Sequence, residues 1–448
     1  MKLWQKQLDK LTDGDVEKKV NKFTVGRDRE FDVQLAPFDV LGNIAHAEML
    51  ASIGLLTKEE YSSLRGALQE IYSFADSIKI DEDTEDIHSQ IEAMLTERLG
   101  DVGKKIHAAR SRNDQVLLDV RLFLRYEIEK LTTGIHSFFS LLQNKSDEYK
   151  DHLVPGYTHL QLAMPSSFGL WFGAYAESLL DDTITLQAAW RVINKNPLGS
   201  AAGYGSSFPI DRSLTTRLLG FDELAYNVVY AQMGRGKSER IVAQSLANIA
   251  DTLAKLSMDA CLFMNQHFDF ISFPAELTTG SSIMPHKKNP DVFELVRAHC
   301  NRIKALPNEI MMMTTNLPSG YHRDLQLLKE HLFPAFKTIH DCIEILSLML
   351  NNIVVKENIL DDEQFKYLFS VEAVNELVLQ GMPFREAYKK IGLDIEAGKF
   401  NWTGKPKHTH EGSIGNLQND KVAALMTAEI EKFGFEKVKE AVSALLAN

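Results

Sequence analysis

The sequence predicts an all-α protein, and three observations carry that prediction. Proline is scarce, 13 in 448 residues, against roughly 5% in average chains. Ala, Leu, Glu, Lys and Gln, which lose little on entering a helix, are abundant. Three segments also carry apolar residues in sustained steps of three and four, the period of one helix face.

Taken in chain order, residues 1 to about 109 read as shorter amphipathic helices with an acidic run, "DEDTED", at 81 to 86, whose simplest reading is a solvated turn. The first long segment runs from Leu117 through Val120, Leu124, Ile128, Leu131, Ile135, Phe138 and Leu142. The second comprises Val242, Leu246, Ile249, Leu253, Leu256, Ala260 and Phe263, and the third Phe336, Ile339, Ile343, Leu346 and Leu350. Helices of roughly 25 to 35 residues, about 40 to 50 Å long, follow, well above the mean for globular proteins. They imply a central bundle over residues 110 to 361. Such helices carry more apolar stripe than one chain readily covers, so a homo-oligomer is expected. From 362 to 448 a third region of short helices is expected. Its "KPKHTHEGS" stretch, with His408 and His410, reads as a polar loop, because no Cys or third ligand is spaced for a metal. The "MMM" run at 311 to 313 reads as core filling.

Composition excludes several classes of function. A formal charge of -12 argues against nucleic acid as a partner, since phosphate binding needs basic surface. Cys261, Cys300 and Cys342 stand in apolar helical contexts without metal-ligand spacing, as expected for buried free thiols in a reducing cytoplasm. The N-terminal stretch has no long apolar core, and no run of about 18 apolar residues occurs elsewhere, so neither export nor a membrane partner is expected.

Four polar islands interrupt the helices: "HAARSRND" at 107 to 114, "PGYTHLQ" at 155 to 161, "GSSIMPHKKNPD" at 280 to 291 and "YHRDLQLLKE" at 321 to 330. Ser111, Arg112 and Asn113 precede the first long helix, where unpaired N–H groups and the macrodipole favour an anion. The same position suits an N-cap, with Asn113 or Asp114 satisfying the first turn. His159 taken alone suits a structural histidine, although Thr158 and Gln161 beside it suit a ligand-facing loop end. The third island is either a mobile surface loop or an anion grip. Its Gly280 frees the backbone, Ser281 and Ser282 offer hydroxyls, and Lys287 and Asn289 are donors for a carboxylate.

The "GSSIMPHKKNP" stretch resembles the signature of the fumarase/aspartase superfamily, whose members cleave C–N or C–O bonds and release fumarate or a close relative. Within it the chain looks like the argininosuccinate lyase family: "DIHSQIE" at 86 to 92, "ARSRNDQV", "GYTHLQ", "PLGS", "KKNPDVFELVR", "YHRDLQLLKE" and "GMPFREA" match in order. The resemblance implies a three-domain, largely helical fold whose central bundle builds a multi-helix core in a homotetramer. Active sites would form where segments of three subunits meet. It implies reversible cleavage of argininosuccinate to arginine and fumarate in the cytoplasm, with no metal or organic cofactor.

By the same resemblance, Ser281 matches the general base, and His159 the histidine that protonates the departing guanidino nitrogen, with Glu294 as its partner. Lys287 and Asn289, with Thr158, Ser111, Arg112 and Asn113, match the groups around the fumarate carboxylate. Tyr321, Gln326 and Lys329 match positions that bind the polar ends of the substrate, and Arg235 is retained from a further binding stretch.

Two departures stand out. Gly26 stands where the family carries a substrate-contacting Ser, and Tyr230 and Gly236 replace two Asp. They keep open a lyase acting on an N-acylated argininosuccinate or on another fumaryl adduct such as adenylosuccinate. An inactive, crystallin-like homologue is the alternative of another class.

Overall fold

The computed structural model describes residues 14–82, 84–280 and 282–447. Four long helices form its centre: Arg112–Glu148 of 37 residues, Phe168–Ile193 of 26, Lys237–Phe263 of 27 and Leu328–Asn351 of 24. Every position of the first expected stripe, from Leu117 to Leu142, is buried, as are Val242 to Ala260 of the second and all five of the third. The Phe168–Ile193 helix is absent from the three periodic segments. Its sequence carries aromatics and a central Asp pair, and Trp171, Phe172 and Tyr175 pack edge-on rather than as an aliphatic stripe.

The Arg112–Glu148 helix packs on Phe168–Ile193, Leu328–Asn351 and the N-terminal helix Ala36–Ser52. Lys237–Phe263 packs on Phe168–Ile193, Asp291–Ile303 and Leu306–Met313. Truncating a fully buried aliphatic residue of this core, such as Leu131, removes about 2 to 5 kcal/mol in comparable cores.

The C-terminal chain divides its packing. Ser370–Leu379 and Phe384–Glu396 bury Ala373, Val374, Ala387 and Ile391 in a small core of their own. Asn419–Glu431 and Phe435–Leu446 return to the main core through Met426, Phe433 and Leu445. His408 is tied to Glu372 at 2.9 Å and stacks on His410.

Among the described residues, strands occur only as short pairs. Leu153–Thr158 and Gln161–Ser167 form an antiparallel hairpin, and Thr279–Gly280 pairs with Lys288–Asn289. Two of the four polar islands are therefore hairpins. The "MMM" expectation fails: Met311 and Met312 are exposed on the Leu306–Met313 helix, because its buried stripe runs through Leu306 and Ile310 instead.

Candidate active site

The start of the Arg112–Glu148 helix is a reciprocal cap. Asn113 N–H donates to Ser111 Oγ at 3.3 Å, and Ser111 N–H donates to Asp114 Oδ1 at 2.9 Å. Ser111, rather than Asn113 or Asp114, is thus the N-cap, and Asp114 fills the third helical position. The other oxygen of the buried Asp114 accepts from Gly199 N–H at 2.9 Å and Ala201 N–H at 2.8 Å. That locks the "PLGS" turn to the helix start.

With Ser111 holding the cap, Arg112 and Asn113 are turned toward a cavity of about 180 Å³. Its walls contain six of the residues singled out from sequence: Arg112, Asn113, Arg235, Tyr321, Gln326 and Lys329. A larger cavity of about 510 Å³, lined by Phe38, Leu122, Tyr126 and Val442 among others, includes none of the polar islands. Volume alone does not pick the site.

The smaller cavity also holds residues that the sequence reading left out. Asp28 and Asp32 lie one turn apart on the helix Asp28–Asp32, on the same face. Both grip Lys329, whose Nζ lies 2.8 Å from Asp28 Oδ1 and 2.6 Å from Asp32 Oδ1. Asp32 Oδ2 further accepts from Ile87 N–H at 2.7 Å. Their i, i+4 spacing in "RDREFD" was the available signal.

Within "DEDTED", Asp81 and Glu82 are exposed as a solvated turn requires, but Glu85 and Asp86 are not solvated acids. Glu85 pairs with Arg323 at 3.0 Å, Asp86 with Arg112 at 3.3 Å, and Asp86 also caps the helix Ile87–Leu99. Those acids line the cavity because three arginines and a lysine converge there.

Behind Asp32 sits His88 of "DIHSQIE", fully buried, with Nδ1 at 3.0 Å from Asp39 Oδ1 and 3.1 Å from Asp119 Oδ2. Burial opposes the imidazolium, but Asp39 and Asp119 outweigh it and raise His88 to about 10. Burial and the neighbouring Asp39 push Asp119 up to about 8, whereas His88 overcomes burial to hold Asp39 at about 2. Near neutral pH the trio is then an anion, a cation and a neutral acid. Its ligand atoms lie within 4.8 Å of one another, close enough to share a metal ion. Two carboxylates facing one nitrogen hold a proton there, which leaves that nitrogen no lone pair for a metal.

The remaining sequence candidates lie elsewhere in the chain. Thr158 and His159 sit at the exposed tip of the 153–167 hairpin, where His159 and Leu160 take φ of +55° and +59°. A left-handed pair is the usual two-residue hairpin turn, but it normally takes Asn or Gly. Here it costs about 1 to 2 kcal/mol per residue. Lys287 and Glu294 are exposed, and Asn289 is half-buried in the short ladder opposite Thr279. No ion pair joins His159 to Glu294 within the chain among the described residues. Ser281 lies outside the described residues.

The segments carrying these candidates also expose apolar side chains: Leu160 at 79%, Ile283 at 83% and Leu295 at 61%. Gly26 does not line the cavity. It ends the helix Gly14–Val25 at φ +53°, with its N–H on Lys22 O at 3.0 Å. Gly236 has φ +77°, and a Cβ there would lie 2.6 Å from Thr314 Cγ2. Tyr230 stands outside the cavity on the helix Val228–Met233.

The fold and a match of residues 6–305 to the family described as Lyase define the class: a lyase built on a bundle of long helices. Curated argininosuccinate lyases of Bacteroides fragilis and Bacteroides thetaiotaomicron are 59% identical to it over 447 residues, 99% of each chain. That of Thermotoga neapolitana is 36% identical over 392 residues, 87% of this chain and 97% of its own. The chain belongs to the argininosuccinate lyase family.

Among solved structures, an EDDS lyase in complex with formate superposes with a TM-score of 0.75 at 21% identity, covering 95% of this chain and 94% of the other. A fumarate lyase:delta crystallin from Brucella melitensis, bound to cobalt, gives 0.70 at 18% identity over 90% of both chains. These two likenesses concern the fold.

Proposed function

We propose that the protein reversibly cleaves argininosuccinate to L-arginine and fumarate, as a cytoplasmic carbon–nitrogen lyase. The observation that carries this reading is 59% identity to curated argininosuccinate lyases over 99% of the chain. Six substrate-binding candidates in one cavity support it further. The demanding step is removal of a proton from carbon next to a carboxylate, which generates a dianion. Donors and cations fixed around that carboxylate therefore supply most of the rate.

In this reading Lys287 and Asn289, with Thr158, Ser111, Arg112 and Asn113, surround the developing dianion. Ser281 removes the proton, an assignment that requires stabilisation of its alkoxide by Lys287 and nearby N–H groups. His159, partnered by Glu294, delivers a proton to the departing nitrogen. Arg235, Tyr321, Gln326 and Lys329 hold the arginine end.

The exposure of His159, Lys287 and Glu294 together with Leu160, Ile283 and Leu295 supports a homotetramer in which other copies bring these segments to the cavity. The division at 109/110 and 361/362 is part of the same proposal. The test is fumarate absorbance on incubation with argininosuccinate and, separately, adenylosuccinate, with sedimentation velocity on the same sample. Fumarate from adenylosuccinate alone overturns the substrate assignment, and a monomer overturns the shared site.

A further inference from the structure

We infer that a second cavity, on the other side of Arg235 from the one holding Lys329, is a binding site for a phosphate-type dianion. The inference stands apart from the reaction proposed above and does not depend on it.

This cavity has a volume of about 230 Å³ and lies between the start of the Lys237–Phe263 helix and residues 314–322. Arg235, Lys237, Arg240 and His322 stand in its walls, and among the described residues no Asp or Glu does. By contrast, the cavity holding Lys329 has four carboxylates in its walls, and the cavity of about 510 Å³ has Glu129. In a chain of formal charge -12, a concave wall of one positive sign concentrates anions against the field of the rest of the molecule.

Without a ligand this arrangement works against the helix that carries it. Lys237 is the first residue of the 27-residue helix and Arg240 the fourth, so the two cations neighbour each other on its surface. They stand at the positive end of the macrodipole, where cations are disfavoured. Glu239, the acid of the first turn, is committed elsewhere. Its buried carboxylate accepts from Gly236 N–H at 2.7 Å and Ser238 Oγ at 2.9 Å, and pairs with Arg235 Nε at 3.4 Å. Lys237 and Arg240 are exposed and form no ion pair among the described residues. The departure at Gly236 falls in the same wall and removes an acid from it. A bound anion supplies the negative charge that the wall lacks.

The donor set suits a tetrahedral dianion. Two guanidinium groups offer planar forks and Lys237 a point charge, at a helix start whose dipole favours phosphate. Arg235 keeps donors in reserve, since its contacts with Glu239 and with Leu325 O are long, at 3.4 and 3.3 Å. His322 Nε2–H donates to Pro318 O at 3.1 Å, which holds the ring in the facing wall.

The experiment is calorimetric titration of the full-length protein with inorganic phosphate, adenosine 5′-monophosphate and succinate, in chloride buffer of fixed ionic strength. Wild type, Lys237→Gln and Arg240→Gln are compared with Lys255→Gln, which removes an exposed lysine farther along the same helix. Thermal melts with and without phosphate accompany each titration. Phosphate is expected to bind wild type and Lys255→Gln alike, and each of the other two variants at least about tenfold more weakly. It is also expected to raise the melting temperature of wild type and not that of Lys237→Gln or Arg240→Gln. Tighter binding of adenosine 5′-monophosphate than of phosphate identifies a phosphate ester as the ligand, and the reverse order identifies the free ion. Equal phosphate affinity in all four proteins, or no binding to wild type, overturns the inference. Succinate binding as tightly as phosphate overturns the choice of a tetrahedral dianion.

Discussion

Replacing Asp119 by Asn removes one titrating group from the fully buried His88 trio while keeping its size and a polar end near His88 Nδ1. Asp119 titrates at about 8 in the fold, against an ordinary value of 3.8, because burial and Asp39 disfavour its charge. His88 titrates at about 10 against 6.5, because its two carboxylates outweigh burial. Between about pH 4 and 8 the folded protein therefore keeps a proton on Asp119 that the unfolded chain has released, and stability falls as pH rises. His88 adds the same sign, with its contribution complete below 6.5 and lost as pH approaches 10. Asp39 has the opposite sign, but its folded value of about 2 confines its effect to strongly acidic solution.

One such proton changes the unfolding free energy by at most about 1.4 kcal/mol per pH unit. Urea unfolding of wild type and Asp119→Asn at fixed protein concentration, from pH 5 to 9, isolates the contribution. The difference, variant minus wild type, is expected to rise with pH through the window below 8 and then level off. A difference that stays flat with pH refutes the assignment of a neutral buried Asp119.

Lys287→Ala is expected to cost several kcal/mol of transition-state stabilisation, read as a fall in kcat/KM for fumarate release; near-normal turnover rejects its charge-stabilising role. His159→Asn and Ser281→Ala should each abolish turnover, and refolding the two together should restore part of it. No recovery from demonstrated hybrids means that each site is built within one subunit. Gly236→Ala should lower thermal stability by about 1 to 3 kcal/mol, since it combines a left-handed backbone with a close approach to Thr314. An unchanged melting temperature shows that the Lys237–Phe263 helix start can shift to make room.

The long helices were legible because burial of one face writes a period into the sequence, and Leu117 to Leu142 carries it through almost the whole Arg112–Glu148 helix. Phe168–Ile193 escaped because its face is built of aromatics, glycines and acids whose fit depends on neighbours. Among cavity residues, Arg112, Asn113, Tyr321, Gln326 and Lys329 were singled out beforehand because they stand in polar islands that match the family's motifs. Asp28 and Asp32 were missed because acids on a short amphipathic helix look like any solvated face until a buried lysine is placed between them.

By itself, then, the sequence determined the helical class and the family, both properties of local pattern and residue order. Tertiary structure alone decided which charges meet: that Ser111 caps while Arg112 and Asn113 face the cavity, that "DEDTED" supplies ion-pair partners, and that Lys329 has two acids. Charge pairing depends on distances between residues nearly 300 positions apart, such as Asp32 and Lys329. No local period encodes such a distance, and only the packing of the helices that carry the two residues fixes it.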